Sequence, residues 1–188
     1  AAEFERFMQR VPENVLVVVD EAYIEYVSRS DYPDALRYFA DGRDVLLLRT
    51  FSKAYGLAAL RIGYGIAKPE IVSAINRLRE AFNTNTLAQV AAEAAVGDTD
   101  HVQESIKINA EGKKYLMKEL AALGLPGVPS EANYIFVPLQ RESMPLYDGL
   151  LRKGVIIRPV GPKAIRISIG QPHENERCIA ALKEVLSA

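Results

Sequence analysis

The sequence predicts an α/β fold in which a larger sheet layer is followed by a smaller one. Two short apolar runs, residues 15–19 and 45–48, have the aliphatic and β-branched character of buried parallel strands. Segments with apolar residues at helical spacing alternate with such runs along the chain. The composition becomes more polar after Gly97, so we place one domain at residues 1–97 and a small α/β domain at residues 98–188.

The first domain is expected to contain three strands. Its predicted elements are, in order, a helix that ends before Pro12, a strand at 15–19, a helix around 35–39, strands at 45–48 and 62–67, a helix from Pro69 with Ile71, Ile75 and Leu78 on one stripe, and a helix at 86–96. The strand at 45–48 is expected to be buried on both faces, and the strand at 15–19 to lie centrally in a parallel sheet. A tight loop separates 45–48 from 62–67, so these two strands are expected to run antiparallel. The glycines of 62–67 predict close approach of a neighbouring backbone.

The second domain begins with a long polar helix whose apolar residues recur on one stripe. Its predicted elements are this helix at 100–123, strands at 134–137, 155–157 and 165–169, a helix near 145–151 between the first two strands, and a closing helix from Pro172. Acidic residues at the start of the closing helix and a lysine near its end agree with the helix dipole.

Composition argues against several classes of protein. A formal net charge of −1 over 188 residues gives no reason to expect nucleic acid or a membrane surface as a partner. No apolar run is long enough to span a bilayer, and the first residues lack the pattern of a signal peptide. The single cysteine, Cys178, is expected in the core and favours the reducing cytoplasm. His101 and His173 have no acidic or cysteine partners at ligand spacing, so no metal site is predicted.

A lysine, a serine and an arginine follow the second apolar run in an order that suggests a cofactor. Lys53 comes just after a buried strand end, where partial desolvation of an amine would favour its neutral, nucleophilic form. Ser52 and Arg61 supply the hydroxyl and the planar charge that bind phosphate, with Thr50 as a weaker candidate. An amine beside a phosphate site indicates a phosphorylated aldehyde. The alternative, a solvated loop lysine, leaves the order of Ser52, Gly56 and Arg61 unexplained.

Residues 52–64, Ser-Lys-Ala-Tyr-Gly-Leu-Ala-Ala-Leu-Arg-Ile-Gly-Tyr, resemble the cofactor-lysine segment of class I and II aminotransferases. These are fold-type-I enzymes that use pyridoxal 5′-phosphate, and the chain is most similar to their histidinol-phosphate aminotransferase branch. The resemblance covers essentially the whole chain, but only the carboxyl-terminal half of such an enzyme. It implies that residues 1–97 are part of the large cofactor-binding domain and that residues 98–188 are the small domain. A phosphate-binding loop, a stacking aromatic ring and an asparagine of the other half are expected outside this chain.

The resemblance assigns roles to two residues after the first strand. Ligands of open α/β sheets lie beyond the carboxyl ends of the strands, where the 15–19 and 45–48 runs both end. Asp20 fits the carboxylate that keeps the pyridine nitrogen protonated, and Tyr23 fits the donor to the phenolic oxygen. The alternatives are a turn aspartate and an ordinary tyrosine at the edge of the core. Glu21, between them, is interpreted as structural.

The resemblance also gives roles to the residues after the second strand. Lys53 would bind the cofactor covalently and would transfer the proton of the substrate α-carbon. Ser52 and Arg61 would bind the cofactor phosphate. Asn83 and Asn85 match a segment that lies near the active site, and they are expected only as contacts.

Two arginines of the second domain are the candidates for binding substrate. Arg166 lies in an alternating apolar strand, where a charge usually meets an anion. The resemblance implies that it clamps the substrate α-carboxylate through two parallel hydrogen bonds. A structural salt bridge is the alternative. Arg158 would help to bind the substrate phosphate, and Lys163 could share or replace that role.

Together the assignments imply transamination between L-histidinol phosphate and 2-oxoglutarate in histidine biosynthesis, by a cytoplasmic homodimer. Aspartate or aromatic aminotransferase activity and threonine-phosphate decarboxylation remain open within the same class. A non-catalytic α/β module that only binds a partner would keep the motifs without forming a bond at Lys53. The chain alone is expected to be poorly active or inactive.

Overall fold

A computed structural model describes residues 1–187, which form two compact units. The first unit is Ala1–Val102 and the second begins at Gln103. Each unit has its own three-stranded sheet and its own cluster of buried apolar residues. The division lies in a helix a few residues beyond Gly97, where the composition changes. The α/β character that the sequence predicts is therefore present in both units.

The first unit follows the predicted order of elements. Its helices and strands are α1 (Ala2–Arg10), β1 (Val17–Asp20), α2 (Ala35–Ala40), β2 (Val45–Thr50), β3 (Gly63–Ile66), α3 (Pro69–Asn76) and α4 (Thr86–Gly97). The sheet order is β1-β2-β3, with β1 parallel and β3 antiparallel to β2. The antiparallel direction of β3 confirms the prediction made from its short connecting loop.

The prediction that β2 is buried on both faces is wrong. Val45 and Leu47 pack into a core with α1 and α2, but Leu48 on the other face is 37% exposed. Val18 of β1 is 53% exposed, and among the described residues β1 pairs only with β2, so it is an edge strand of this sheet and not a central one. Continuous apolar runs indicate two covered faces. Residues 1–187 cover only one of them.

The helices after β3 expose more apolar surface than the sequence predicts. Helix α3 ends at Asn76, so Leu78 lies outside it and is exposed, as is Ile75. The predicted stripe of Ile71, Ile75 and Leu78 therefore does not form a buried helix face. Helix α4 begins where predicted, because the side chain of Asn85 caps it by accepting the N–H of Ala88 at 2.8 Å.

The second unit places helices on an antiparallel sheet. Its elements, after α5 (Thr99–Ala122), which crosses the division, are β4 (Tyr134–Pro138), α6 (Ser143–Arg152), β5 (Arg158–Pro159), β6 (Ala164–Ser168) and α7 (Pro172–Ser187). The sheet order is β4-β6-β5. The predicted strand at 155–157 is wrong, since β5 begins at Arg158. The N–H of Val155 bonds to the carbonyl of Leu150 and closes α6, so it is not available to a strand partner.

The core of the second unit lies between its sheet and the helices. It is built from alternate residues of the strands and one face of each helix: Leu116, Leu120, Ile135, Val137, Leu146, Leu150, Ile165, Ile167, Ile179 and Leu182. Each such side chain contributes about 1.5–3 kcal/mol by burial. Cys178 belongs to this core, as predicted, and burial raises the pKa of its thiol to about 11.

Candidate active site

Strands β1 and β2 end side by side, and the candidate cofactor residues follow them. The parallel pairing runs from Val17 to Asp20, and the N–H of Glu21 extends it by bonding to the carbonyl of Leu48 at 2.8 Å. Beyond this point the Nζ of Lys53 lies 5.6 Å from the centre of the Tyr23 ring. The structure therefore brings together an amine and a phenol that are 30 residues apart in the sequence.

Asp20 is the last residue of β1, and its side chain is exposed at the strand end. Its Oδ1 accepts the backbone N–H of Ala22 at 3.1 Å, which is the turn interaction of the alternative interpretation. This bond fixes the direction of the carboxylate and occupies one of its two oxygens. A turn role and a ligand role are therefore compatible at Asp20.

The loop that carries Ser52 and Lys53 is held by its own backbone and by two buried neighbours. Phe51 and Ala54, on either side of the pair, are buried. The N–H of Gly56 bonds to the carbonyl of Lys53 at 2.9 Å, and Gly56 has the positive φ of 72° that such a turn requires. The N–H of Ser52 bonds to the hydroxyl of Thr50 at 3.0 Å. Thr50 thus acts as a turn residue, and the loop is fixed on both sides of Lys53.

Arg61 is exposed and has a left-handed backbone conformation with φ 54°. Its Nη1 donates to the carbonyl of Ala58 at 2.7 Å. The next residue, Ile62, accepts the N–H of Phe51 at 3.2 Å, which places Arg61 close to the Lys53 loop in the chain fold. A left-handed conformation costs a residue with a side chain about 1–2 kcal/mol. Such strain is concentrated at functional positions.

Beneath these loops lies a buried ion pair that sequence reasoning missed. Glu21 is 3% exposed, and its Oε2 accepts the Nε of Arg49 at 2.8 Å. Although burial opposes it, the hydrogen bond with Glu21 raises the pKa of Arg49. Burial raises the pKa of nearby Glu25, whose Oε2 has no hydrogen-bond partner among the described residues. A signal was present, since an acid and an arginine stand at the ends of adjacent parallel strands.

Asn83 and Asn85 have different surroundings. The cap of α4 occupies Asn85 Oδ1, so this side chain has a structural role. Asn83 is exposed and follows Phe82, which has φ 58° and is 98% exposed.

In the second unit, Arg166 lies on β6, the middle strand of its sheet. Its guanidinium lies 4.6 Å from the centre of the Tyr134 ring, and its Nε is buried without a hydrogen-bond partner in the described part of the chain. Arg166 forms no ion pair with a described residue, so the salt-bridge alternative finds no partner within residues 1–187. An unpaired buried donor is costly unless a ligand satisfies it.

Arg158 lies directly opposite Arg166 across β5 and β6. Its side chain is exposed, and the two residues project from the same face of the sheet because they are a cross-strand pair. Lys163 is exposed in the connection between these strands, and its carbonyl accepts the N–H of Leu139 at 2.8 Å. The structure thus brings both predicted substrate arginines together within the second unit.

Other kinds of site find little support in the part of the chain that the structure describes. Among residues 1–187 no three His, Cys, Asp or Glu side chains are grouped so that they could hold a metal ion. His101 instead packs near the Lys53 loop, with Nε2 at 3.6 Å from where a Cβ on Gly56 would lie. No described helix combines the length and the apolar character needed to cross a membrane.

Comparison with known proteins places the chain among aminotransferases. The family model described as aminotransferase class I and II matches residues 1–182. Histidinol-phosphate aminotransferase of Moorella thermoacetica is 50% identical over 191 residues, a match that covers 99% of this chain and 50% of that protein. Histidinol-phosphate aminotransferase 2 of Pseudomonas fluorescens strain Pf-5 is 49% identical and is covered to 52%.

A solved structure agrees with these matches. Histidinol-phosphate aminotransferase from Sinorhizobium meliloti, in complex with pyridoxal-5′-phosphate, is similar with a TM-score of 0.89 and 34% sequence identity. The match covers 100% of this chain and 53% of that one. The chain therefore spans about half the length of the relatives that it matches.

Proposed function

Because the chain belongs to the aminotransferase class I and II family, we propose that the whole protein transfers amino groups between L-histidinol phosphate and 2-oxoglutarate with pyridoxal 5′-phosphate. The observation that carries this proposal is the position of Lys53 Nζ, 5.6 Å from the centre of the Tyr23 ring at the joint ends of β1 and β2. The names of two relatives that are about half identical over the whole chain support the choice of substrate.

The side chains at these strand ends fit pyridoxal 5′-phosphate. When bound, this cofactor supplies an electron sink for the carbanion at the substrate α-carbon. Lys53 would hold its aldehyde carbon, Asp20 its pyridine nitrogen and Tyr23 its phenolic oxygen. Ser52 and Arg61 would hold its phosphate, and the strained φ of Arg61 supports a functional role for that residue.

Each residue can act with little movement. The carboxylate of Asp20 is oriented by the N–H of Ala22, so it can keep a proton on a ring nitrogen. The hydroxyl of Tyr23 can donate a hydrogen bond to an anionic oxygen. When it is not bonded to the cofactor, the amine of Lys53 can accept a proton from the substrate α-carbon at Nζ and can then donate that proton again. The buried Phe51 keeps the Lys53 backbone in place during these steps.

The arginines of the second unit suit anionic substrates. Glutamate carries a carboxylate on its α-carbon. Histidinol phosphate carries a phosphate ester in the corresponding substituent. The unsatisfied Nε of Arg166 supports a bidentate bond to a carboxylate. Arg158, opposite it, would bind the phosphate, with Lys163 close by in sequence. Two facing guanidinium groups are favourable when an anion lies between them.

The domain roles, the assembly and the location belong to the same proposal. Residues 1–97 would form part of the cofactor-binding domain, and residues 98–188 the small domain. Leu87, Val90 and Val96 of α4 are exposed apolar residues of the kind that a subunit interface covers, which supports a homodimer. The cytoplasm, where histidine would be made, is the proposed location.

The proposal is tested by the visible spectrum of the full-length protein after incubation with pyridoxal 5′-phosphate and dialysis. We expect an absorption band that Lys53→Ala removes and that L-glutamate bleaches. Lys118→Ala, an exposed lysine on α5, is the matched control and should keep the band. Absence of the band in the unmodified protein would reject the proposal and favour a module that only binds a partner.

Turnover then tests the substrate. We expect faster transamination of histidinol phosphate than of phenylalanine or aspartate, and no decarboxylation of threonine phosphate. A preference for any of the last three would overturn the substrate assignment and leave the cofactor assignment intact. The same spectrum recorded on the isolated 188 residues shows whether they bind the cofactor without the rest of the protein.

A further inference from the structure

One buried ion pair lies directly between the residues that the proposed function uses. Glu21 immediately follows Asp20 and precedes Tyr23 by two positions, and Arg49 precedes Lys53 by four. Their side chains meet at 2.8 Å, Nε to Oε2. The pair therefore joins the loop after β1 to the strand that leads into the Lys53 loop.

This pair is more deeply buried than the other ion pairs of the described residues. The Glu21 side chain is 3% exposed and that of Arg49 is 21% exposed. In the remaining pairs each partner is at least 23% exposed. Burying two charges costs about as much as their attraction returns, so apolar residues would hold the sheet equally well. A buried pair is therefore better explained by the geometry it imposes than by stability.

The geometry extends to a third strand. Arg49 lies directly opposite Tyr64 across β2 and β3, so the two side chains project from the same face of the sheet. Tyr64 is three residues from Arg61 and Glu21 adjoins Asp20, so Arg49 lies between the segments that carry these two proposed cofactor contacts. Glu25 and Tyr55 are further titratable groups near this pair; burial raises the pKa of both, and the charge of Arg49 opposes each rise.

We propose that Glu21 and Arg49 are positioning residues of the cofactor site. Their ion pair sets the distance between the loop of Asp20 and Tyr23 and the loop of Lys53, without itself contacting the cofactor. The role of this ion pair in catalysis rests on the proposed function. The coupling of the two loops does not depend on that function.

The test removes both charges at once in the full-length protein. Glu21→Ala alone would leave Arg49 buried without a partner and could prevent folding, so the variant is Glu21→Gln with Arg49→Met. The matched control is Asp44→Asn with Lys68→Met. Asp44 and Lys68 form an ion pair at 2.6 Å beside the opposite end of β2, so this control removes the same charges from the same sheet away from Lys53.

Three measurements are made on each protein. Amide hydrogen exchange of segments 21–24 and 51–54, without cofactor, reports how firmly the two loops are held. The dissociation constant of pyridoxal 5′-phosphate and the pH midpoint of the visible spectrum report the site. We expect the Glu21/Arg49 variant to exchange about tenfold faster in both segments. We also expect it to bind the cofactor about tenfold more weakly, with a shifted pH midpoint. The control should match the unmodified protein.

Unchanged exchange in both segments would overturn the coupling of the loops. Faster exchange with unchanged affinity and pH midpoint would overturn the positioning role. If the unmodified protein binds no cofactor at Lys53, the proposed function fails. The coupling is then decided by exchange alone, because that measurement needs no cofactor.

Discussion

Arg158 and Arg166 face each other directly across two antiparallel strands. Like charges in such a pair repel by roughly 0.2–1 kcal/mol, and neither arginine is paired with a carboxylate among residues 1–187. The guanidinium of Arg166 lies over the Tyr134 ring, and its buried Nε has no hydrogen-bond partner within residues 1–187. These features support the proposal that the second unit binds an anion between the two arginines.

The first prediction concerns Arg166→Met in the full-length protein. The variant would lose the proposed charge-assisted hydrogen bonds to the substrate, each worth about 1.5–3 kcal/mol, so the KM for glutamate should rise about tenfold or more. Stability should hardly change in phosphate-free buffer, because the lost contact with Tyr134 is offset by relief of repulsion from Arg158. Steady-state kinetics and thermal unfolding measure the two effects.

The exposed Arg152 of α6 provides the control for this variant. Arg152→Met should leave KM unchanged. An unchanged KM in Arg166→Met would contradict the role of that residue, and a large loss of stability would point to a structural role.

The second prediction separates strain from binding at Arg61. Arg61→Gly relieves a left-handed conformation that costs about 1–2 kcal/mol, which is partly offset by the greater freedom of glycine in the unfolded chain. The free energy of unfolding should therefore stay equal or rise slightly. Affinity for pyridoxal 5′-phosphate should fall about tenfold, because the proposed charged contact with the phosphate would be lost. Calorimetry of binding and urea unfolding measure these two quantities.

Phe82→Gly is the control, since Phe82 also has a positive φ and is almost fully exposed. It should relieve strain without any effect on cofactor affinity. Equal affinities for all three proteins would show that Arg61 does not bind the phosphate.

The positions of Lys53, Asp20 and Tyr23 could be predicted because strand ends are visible in the sequence. An apolar run ends abruptly before a polar residue, and parallel neighbours must end at the same edge. The pairing of β1 with β2 and the 5.6 Å distance between Lys53 and Tyr23 agree with that argument. The sequence pattern of each strand was sufficient to predict these positions, because the pairing of neighbouring strands determines where their ends lie.

Other features depend on contacts that local pattern does not contain. The exposure of Val18 and Leu48 depends on what lies against the far face of the sheet, and residues 1–187 leave it uncovered. The start of β5 depends on the N–H of Val155, which closes the preceding helix. The Glu21–Arg49 pair joins residues 28 apart, so the sequence shows the two charges at predicted strand ends but only the paired sheet shows that they meet.

The third prediction concerns pH and Cys178. Burial raises the pKa of its thiol from 9.0 to about 11, so the folded state keeps a proton that the unfolded state releases. Below pH 9 both states are protonated and this thiol causes no pH dependence. As the pH rises from 9 to about 11 the protein should lose about 2 kcal/mol of stability from this group.

Urea unfolding at pH 8 and pH 10.5 measures this loss, and Cys178→Ala isolates it from the tyrosines that titrate in the same range. The variant is less stable at pH 8 because of the cavity it leaves, but its stability should fall less between the two pH values. Equal falls in both proteins would show that the thiol is not protected by burial. Slow alkylation of the folded wild-type thiol at pH 8 is the independent check.

The last prediction concerns Gly63, where β3 meets the end of β2. A Cβ on Gly63 would lie 2.6 Å from the carbonyl oxygen of Arg49, closer than real contacts allow, which agrees with the close backbone approach predicted from the alternating glycines. Gly63→Ala must therefore displace the strand that leads into the Lys53 loop. We expect a loss of about 1–3 kcal/mol in the free energy of unfolding and weaker binding of pyridoxal 5′-phosphate.

Gly97→Ala is the matched control, because a Cβ at Gly97 meets nothing within 4 Å. Gly97 is the last residue of α4, where alanine is tolerated or stabilises the helix by up to about 1 kcal/mol. Urea unfolding and cofactor titration should therefore show a loss of stability and of cofactor affinity in Gly63→Ala but not in Gly97→Ala. If Gly63→Ala matches Gly97→Ala in both measurements, the backbone of β3 does not lie in close contact with Arg49. The spacing of the strands that support the Lys53 loop would then be wider than the structure shows.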